Sequence, residues 1–337
     1  MTQMKFKFTI IFLLVMLAAI TYISLHIGTI KIPWSAAAIG FDAEKLGVSH
    51  ETALTFKTVV NEIRLPRVLT ALLCGAALAV SGAAYQSMFM NPLVSPALLG
   101  VLAGAAFGAS LGMLISKSLL VAQLSAFGFG IVAVGSAILL AGFFPGNRLI
   151  MLIMGGVISS SLFTSMLSVV KFVADTHNEL PAIVYWLMGG FSAVSSSAAI
   201  MVLPFIVVGI IMIIALSGYM NVLSMGDEEA ASLGVNVRRI RTVLILITTL
   251  ISSLTVALGG MIGWVGLMIP HIARMVCGPD NRQLIPLSAL IGAIYLLIVD
   301  NICRTAFAGE IPIGIMTSLM GVPFFILVLS RTKSRWN

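Results

Sequence analysis

Residues 68–116, VLTALLCGAALAVSGAAYQSMFMNPLVSPALLGVLAGAAFGASLGMLIS, run for 49 positions without an Asp, Glu, Lys or Arg. A bilayer core takes roughly 20 apolar residues per helix, so this run holds two passes, or one pass and a re-entrant piece. Residues 180–226 form a second such run of 47, and shorter neutral runs cover 118–147, 149–170, 242–273 and 311–330. The whole chain agrees with these stretches. Of its 337 residues 59% are hydrophobic and 9% charged, and the mean hydropathy is +1.11; a soluble domain carries about 25% charged residues. Lipid excludes open sheet edges, and nothing alternates with the period of a barrel strand, which leaves helices. The expected fold is all-α: a polytopic membrane protein of about ten transmembrane helices in one transmembrane domain over residues 1–337. The apolar segments lie near 8–28, 67–88, 95–115, 119–142, 149–172, 198–217, 242–259, 262–277, 284–303 and 312–330, the eighth being short and interrupted by Gly266 and Pro270.

An even number of passes with the amino terminus inside places both termini in the cytoplasm. That side then holds Lys5, Lys7, Arg148, Arg238, Arg239, Arg241, Arg274, Arg282, Arg331, Lys333 and Arg335 against Asp227, Glu228, Glu229 and Asp280, a net of +7, while the outer side balances 8 cations with 8 acids. Excess Lys and Arg near span ends on one side is the usual orientation signal. The basic pI of about 9.6 thus reads as topology, and no nucleic-acid partner is expected. A secretory signal is the competing reading of the first segment, with Lys5 and Lys7 ahead of it and Ala36-Ala37-Ala38 as the small-residue site. The apolar stretch is longer than a signal core, and the alanines lie well beyond its end.

Gly100, Gly104, Gly108 and Gly112 recur every fourth residue, which puts them on one helix face where a neighbouring backbone can come close. The pairs Gly155-Gly156, Gly189-Gly190 and Gly259-Gly260 mark bends or a pathway. A weak internal echo at an offset of 178 aligns Ala79, Gly82 and Pro92 with Ala257, Gly260 and Pro270. Cys74, Cys277 and Cys303 are too few and too scattered for a disulfide framework or a zinc site and read as buried small apolar residues. No metal site is expected. His271 beside Pro270 reads as a packed side chain, and Asp300 four residues before Arg304 reads as a local ion pair. No HExxH, serine elbow or phosphate loop is present; residues 112–117 lack the glycine that precedes the lysine. Any nucleotide chemistry must therefore come from another subunit. Buried acids that would drive a cation-coupled transporter do not form a convincing set.

Two polar regions remain. The stretch 221–242, NVLSMGDEEAASLGVNVRRIRT, turns at Gly226 and places Asp227, Glu228 and Glu229 at a helix start, favourable for the helix dipole. It is either a solvated connector or a small amphipathic docking element. The stretch 61–67, NEIRLPR, puts Arg64 and Arg67 at the outer mouth of a span, against the positive-inside tendency. Either they snorkel to headgroups or they attract an acidic partner.

Several ordered motifs carry a resemblance along nearly the whole chain: RLPR at 64–67, NPLVSPALLGV at 91–101, YWLMGGF at 185–191, GDEEAASLGV at 226–235, GMIGWVGLMIPHIAR at 260–274 and EIPIGIMTSLMGVPFF at 310–325. The chain resembles the permease subunits of type II ATP-binding-cassette importers for iron-siderophores, haem and vitamin B12. That resemblance implies a ten-helix, multi-pass subunit of the bacterial inner membrane, paired with a second permease subunit around a central pathway. Its further partners would be two cytoplasmic ATPases and one periplasmic binding protein, with ATP and Mg on the ATPase and no cofactor or catalytic residue in this chain. By the same resemblance Arg64, Arg67 and Arg304 dock the binding protein. Gly226, Asp227, Glu228, Ala230, Leu233 and Gly234 belong to the ATPase coupling loop, and Gly146 and Asn147 mark the inner gate. The cargo it implies is a metal chelate, ferric siderophore first, with haem, cobalamin and molybdate or tungstate open. A cation-coupled secondary transporter is the alternative class.

Overall fold

A computed structural model describes residues 2–28, 30–36, 41–306 and 309–333, the last five without their side chains. Ala37, Ala38 and Arg335 of the signal and orientation readings lie outside the described residues, as do the side chains of Arg331 and Lys333. The α-helices are α1 (Gln3–His26), α2 (Ala43–Leu46), α3 (His50–Thr58), α4 (Leu65–Met88), α5 (Val101–Ile115), α6 (Leu119–Phe143), α7 (Arg148–Val173), α8 (Glu179–Leu187), α9 (Ser196–Ala215), α10 (Ser217–Leu223), α11 (Asp227–Ser232), α12 (Val237–Gly259), α13 (Val265–Cys277), α14 (Asn281–Thr305) and α15 (Ile313–Lys333). Among the described residues every regular element is helical.

Seven helical stretches are long and apolar enough to cross a bilayer, and α5, α13 and α15 are shorter apolar helices. Together they fall on the ten segments read from the sequence. Polar side chains set where many of them begin. Ser49, Asn147, Ser195, Asn236 and Asp280 each accept a bond from a backbone N–H of the first turn, satisfying donors that have no partner within the helix. Capping by Asn236 starts α12 five residues ahead of the apolar segment, so Arg238, Arg239 and Arg241 belong to the helix rather than to a loop. The fourth helix is also longer than its apolar segment. α3, a π-helical turn at Val59–Arg64 and α4 run on as one 39-residue helix.

The interruption expected at Gly266 and Pro270 lies elsewhere. α13 passes through both residues, and the break precedes it at 260–264, where Gly260 and Trp264 take φ of +66° and +69°. Pro270 has no N–H for the Gly266 carbonyl four residues back. The buried Gln86 amide approaches that carbonyl at 3.5 Å and donates to the Leu267 carbonyl at 3.3 Å. The internal echo has no structural counterpart. Gly82 sits mid-helix and Gly260 ends a helix, while Pro92 occupies a turn and Pro270 a helix interior.

Small residues set the packing. A Cβ on Gly75 would overlap the Gly292 carbonyl of α14, and one on Gly82 the Gly266 carbonyl of α13. Gly104, Gly108 and Gly112 place α5 directly against the backbone of α6 at Phe129, Ser125 and Ala122, as their spacing suggested. Gly100 departs from that row: it takes φ +87° at the junction between the 3-10 turn Pro96–Leu99 and α5. The main core is built largely from α4, α9, α12, α13 and α14, and all three cysteines are buried.

Gly82→Leu should therefore force α4 and α13 apart and destabilise the fold by about 1–3 kcal/mol or more, whereas Gly128→Leu, which meets open space, should be tolerated. Thermal unfolding in detergent, read by a thiol-reactive dye that labels the buried cysteines on exposure, compares the two; equal midpoints would refute the close-packing account.

Candidate functional site

Polar side chains collect at the two ends of the bundle. At one end, the π turn brings Arg64 round to the end of α1, where Nη1 donates to the Leu25 carbonyl at 2.8 Å and Nη2 to that of Ile30 at 2.5 Å. One turn on, Arg67 spans two acids. Its Nε and Nη2 donate to Asp300 at 2.9–3.2 Å, and its Nη1 donates to both oxygens of Glu310 at 2.9 Å. Arg304 donates to the Asn301 side chain and to the Ser24 carbonyl, and Asn301 donates to the Ser24 hydroxyl at 2.5 Å.

The three arginines singled out in the sequence thus come together, but as an interior network. Arg64 is 4% exposed and Arg67 8%, so neither extends freely towards headgroups or solvent. Asp300 is wholly buried and pairs with Arg67 at 2.9 Å, while Arg304, its expected i,i+4 partner, reaches it only at 4.0 Å. Glu310 was not singled out as a site residue. It stands 243 residues from Arg67, and its sequence signal was only its place at the head of the 310–325 motif. Gly28, Ile63, Arg64, Arg67, Arg304 and Glu310 are among the residues lining a cavity of about 180 Å3 there.

Deeper in the bundle, three segments meet through backbone alone. The Gly190 amide donates to the Gly259 carbonyl and the Ile313 amide to the Gly189 carbonyl, both at 2.8 Å, and the Gly314 amide donates to Met188 at 3.1 Å. Cβ atoms on Gly189, Gly260 or Gly314 would collide with these chains. This explains the paired glycines: they mark backbone contact. A cavity of about 170 Å3 opens beside the junction, lined in part by Tyr185, Trp186, Gly190 and Gly259, and also by Arg67 and Glu310.

At the opposite end, Gly226 with φ +116° turns the chain into α11. Asp227 at its start accepts from Arg241 at 2.7 and 3.0 Å. Arg241 is 1% exposed, so this bond pins α11 onto α12 and holds the Asp227 carboxyl below the usual carboxylate range, partial burial opposing. Glu228, Glu229, Met225 and Leu233 face outward, and Leu233 is 61% exposed. Ala230 is fully buried against its own chain, so within this loop it anchors rather than presents a surface. Gly234 (φ +79°) ends the element. Beneath it Asn221 donates to Asp280 at 2.6 Å and accepts from the Asn281 amide at 2.7 Å, and the Ser87 hydroxyl donates to Asn281 Oδ1 at 2.7 Å. Gly146 and Asn147 are exposed; Asn147 caps α7, accepting from the Leu149 and Ile150 amides. His271 packs edge-on to Phe324, ring centroids 6.1 Å apart. Among the described residues no three His, Cys, Asp or Glu side chains gather as a metal site.

Arg67→Ala should cost about 3–5 kcal/mol, because it strands the buried Asp300 charge. Arg67→Ala with Asp300→Ala should recover part of that loss in the same unfolding assay, and additive losses would refute the pairing. The Asp227 bond acts through pH. A carboxyl whose folded pKa is depressed adds stability above its unfolded value of about 3.9. That contribution is lost as pH falls through the lower folded value. The stability difference between wild type and Asp227→Asn should thus hold from pH 7 to about pH 4 and vanish in stronger acid; a difference unchanged by acid would refute it.

Residues 14–331 match the FecCD transport family. The chain is 39% identical, over 96% of its own length and 96% of the other's, to the molybdate import system permease protein MolB of Haemophilus influenzae. It is 35% identical to the hemin transport system permease protein HmuU of Yersinia pestis, over 84% of this chain and 90% of that one. A solved structure described as an inward-facing conformation of a metal-chelate type ABC transporter superposes with a TM-score of 0.85 at 34% identity, covering 96% of this chain and 99% of the other. The chain therefore belongs to the FecCD transport family and is a multi-pass membrane permease of an ABC importer, a transport component rather than an enzyme.

Proposed function

We propose that this permease imports a metal oxyanion of the molybdate type, with its α11 end in the cytoplasm and its arginine end facing outward. The observation that carries the cargo reading is the likeness to a molybdate permease, which spans 96% of both chains. Ferric siderophore, expected from the sequence, stands as the second reading and is favoured by a 35% identical iron chelatin permease of Helicobacter pylori.

The mechanism places energy and selectivity on partners. The exposed Met225 and Leu233 stand before and after the pinned α11, which exposes Glu228 and Glu229 between them. That composition suits a cleft on a soluble ATPase, which would supply ATP and Mg. Gly226 and Gly234 shape the loop, and Asp227 fixes its angle. Arg64, Arg67 and Arg304 give the other end a positive cavity suited to acidic side chains of a substrate-binding protein. Complementary charge there sets register and encounter rate. A second permease subunit would complete the pathway, and the turn at Gly146 and Asn147 would lie at its inner mouth. Motion of α11 is transmitted through Asn221, Asp280 and Asn281 to the feet of α4 and α14.

Deleting the chain in its host should lower ATP-dependent molybdate accumulation at least tenfold, measured by elemental mass spectrometry of washed cells. Wild type should restore it, and Leu233→Glu should not. Intact molybdate uptake with lost ferric-siderophore uptake would replace the first cargo by the second. Uptake that persists in ATP-depleted cells and follows a cation gradient would overturn the ATP-driven mechanism.

A further inference from the structure

A carboxylate of the chain itself occupies the place at the arginine end that an incoming carboxylate would need. Arg67 directs Nε and Nη2 at Asp300 and gives Nη1 to Glu310. The two acids differ in kind. Asp300 is wholly buried on α14, whereas the Glu310 side chain is 41% exposed and lies outside any helix, three residues before α15. Arg64 and Arg304 give their donors chiefly to uncharged groups: the Leu25, Ile30 and Ser24 carbonyls and the Asn301 side chain. The cluster of three arginines and two acids therefore nets +1, and Glu310 is the one acid among the residues lining its cavity.

We propose that Glu310 is an internal stand-in for the carboxylate of an acidic partner protein: it occupies Arg67 Nη1 while the surface is free and is displaced when a partner's Glu or Asp enters the cavity. The proposal rests on the docking reading given above. The exchange is feasible because the Glu310 carboxylate is 41% exposed, so water can solvate it as it leaves Arg67. Asp300 keeps its hold on the same guanidinium throughout, so no buried charge is left unpaired during the swap. The displacement is also felt deeper. Glu310 and Arg67 line the inner cavity as well, and Ile313, three residues on, donates to Gly189 at the glycine junction. Release of Glu310 removes one tie on the segment that leads into α15, leaving the backbone bonds of Ile311 and Ile313, so docking is communicated to the mouth of the pathway.

Binding of fluorescein-labelled hexaglutamate to the full chain in lipid nanodiscs tests the swap, with hexaglutamine as the uncharged control. Glu310→Gln should bind hexaglutamate at least fivefold more tightly than wild type, and Arg64→Gln at least fivefold more weakly. Glu62→Gln removes the same charge from the neighbouring turn and leaves Arg67 occupied, so its affinity should stay within twofold of wild type. If Glu310→Gln binds like wild type while Arg64→Gln loses affinity, docking stands and the stand-in is overturned. Equal gains in Glu310→Gln and Glu62→Gln would reduce the effect to net charge and also overturn it. No hexaglutamate binding by any chain would overturn the docking reading and the stand-in together.

Discussion

The pairing of α4 with α14 ties together both ends of this bundle. Two glycines, Gly75 and Gly292, bring the two backbones into contact. At one end Arg67 and Asp300 join the helices by a buried charged bond, and at the other Ser87 and Asn281 join them by a neutral one. Arg67 and Ser87 are separated by roughly 30 Å along α4, at 1.5 Å per residue. Lipid supplies no hydrophobic drive for helices to associate, so close approach and polar ties must do it. A charge at such a position is costly unless paired. Arg67 is the close charge partner of Asp300, and Asp300 takes two of the three guanidinium nitrogens of Arg67.

That pairing accounts for the geometry of both ends. Arg67 uses two nitrogens on Asp300, which leaves Nη1 facing the segment before α15. Arg64, one turn earlier, is turned by the π-helical insertion towards carbonyls at the end of α1 and just beyond it. Arg304, one turn beyond Asp300, reaches the same end of α1 through Ser24 and Asn301. One buried pair thus gathers α1, α4, α14 and the entry to α15. At the other end α14 begins at Asp280 and Asn281, the residues that hold Asn221 beside the exposed loop. The proposed displacement of α11 and charge exchange at Arg67 would therefore act on opposite ends of one stiff pair of helices.

The helices were legible in the sequence because each apolar block records its own contact with lipid or core, and the block boundaries are local. The glycine row of α5 was legible for the same reason: spacing along one helix is enough to define its face. The loop at 226–234 could be recognised because its turn glycines and acidic first turn lie within nine residues. The pairing across Arg67, Asp300 and Glu310 could not be. Arg67 lies more than 200 residues from both acids, and Asp300 sits at the spacing from Arg304 that suggests a local pair. The π turn was hidden as well, since nothing in VVNEIR marks one extra residue. The break at 260–264 was misplaced to Gly266 and Pro270 because Gln86, which answers the carbonyl that Pro270 leaves open, comes from another helix.

Burial of the three arginines changes what charge can do at this surface. A freely exposed arginine patch attracts any anion and is screened by salt. Here each guanidinium is already held in direction by carbonyls or by Asp300, so an incoming carboxylate meets donors fixed in place and loses little entropy in ordering them. Only the Glu310 contact is both charged and half-exposed. Discrimination then follows from geometry more than from net charge. A docking partner of the kind proposed would have to present a carboxylate that reaches past the cavity rim to Arg67, and a diffuse polyanion that cannot enter would have to compete against an acid tethered a few residues from α15.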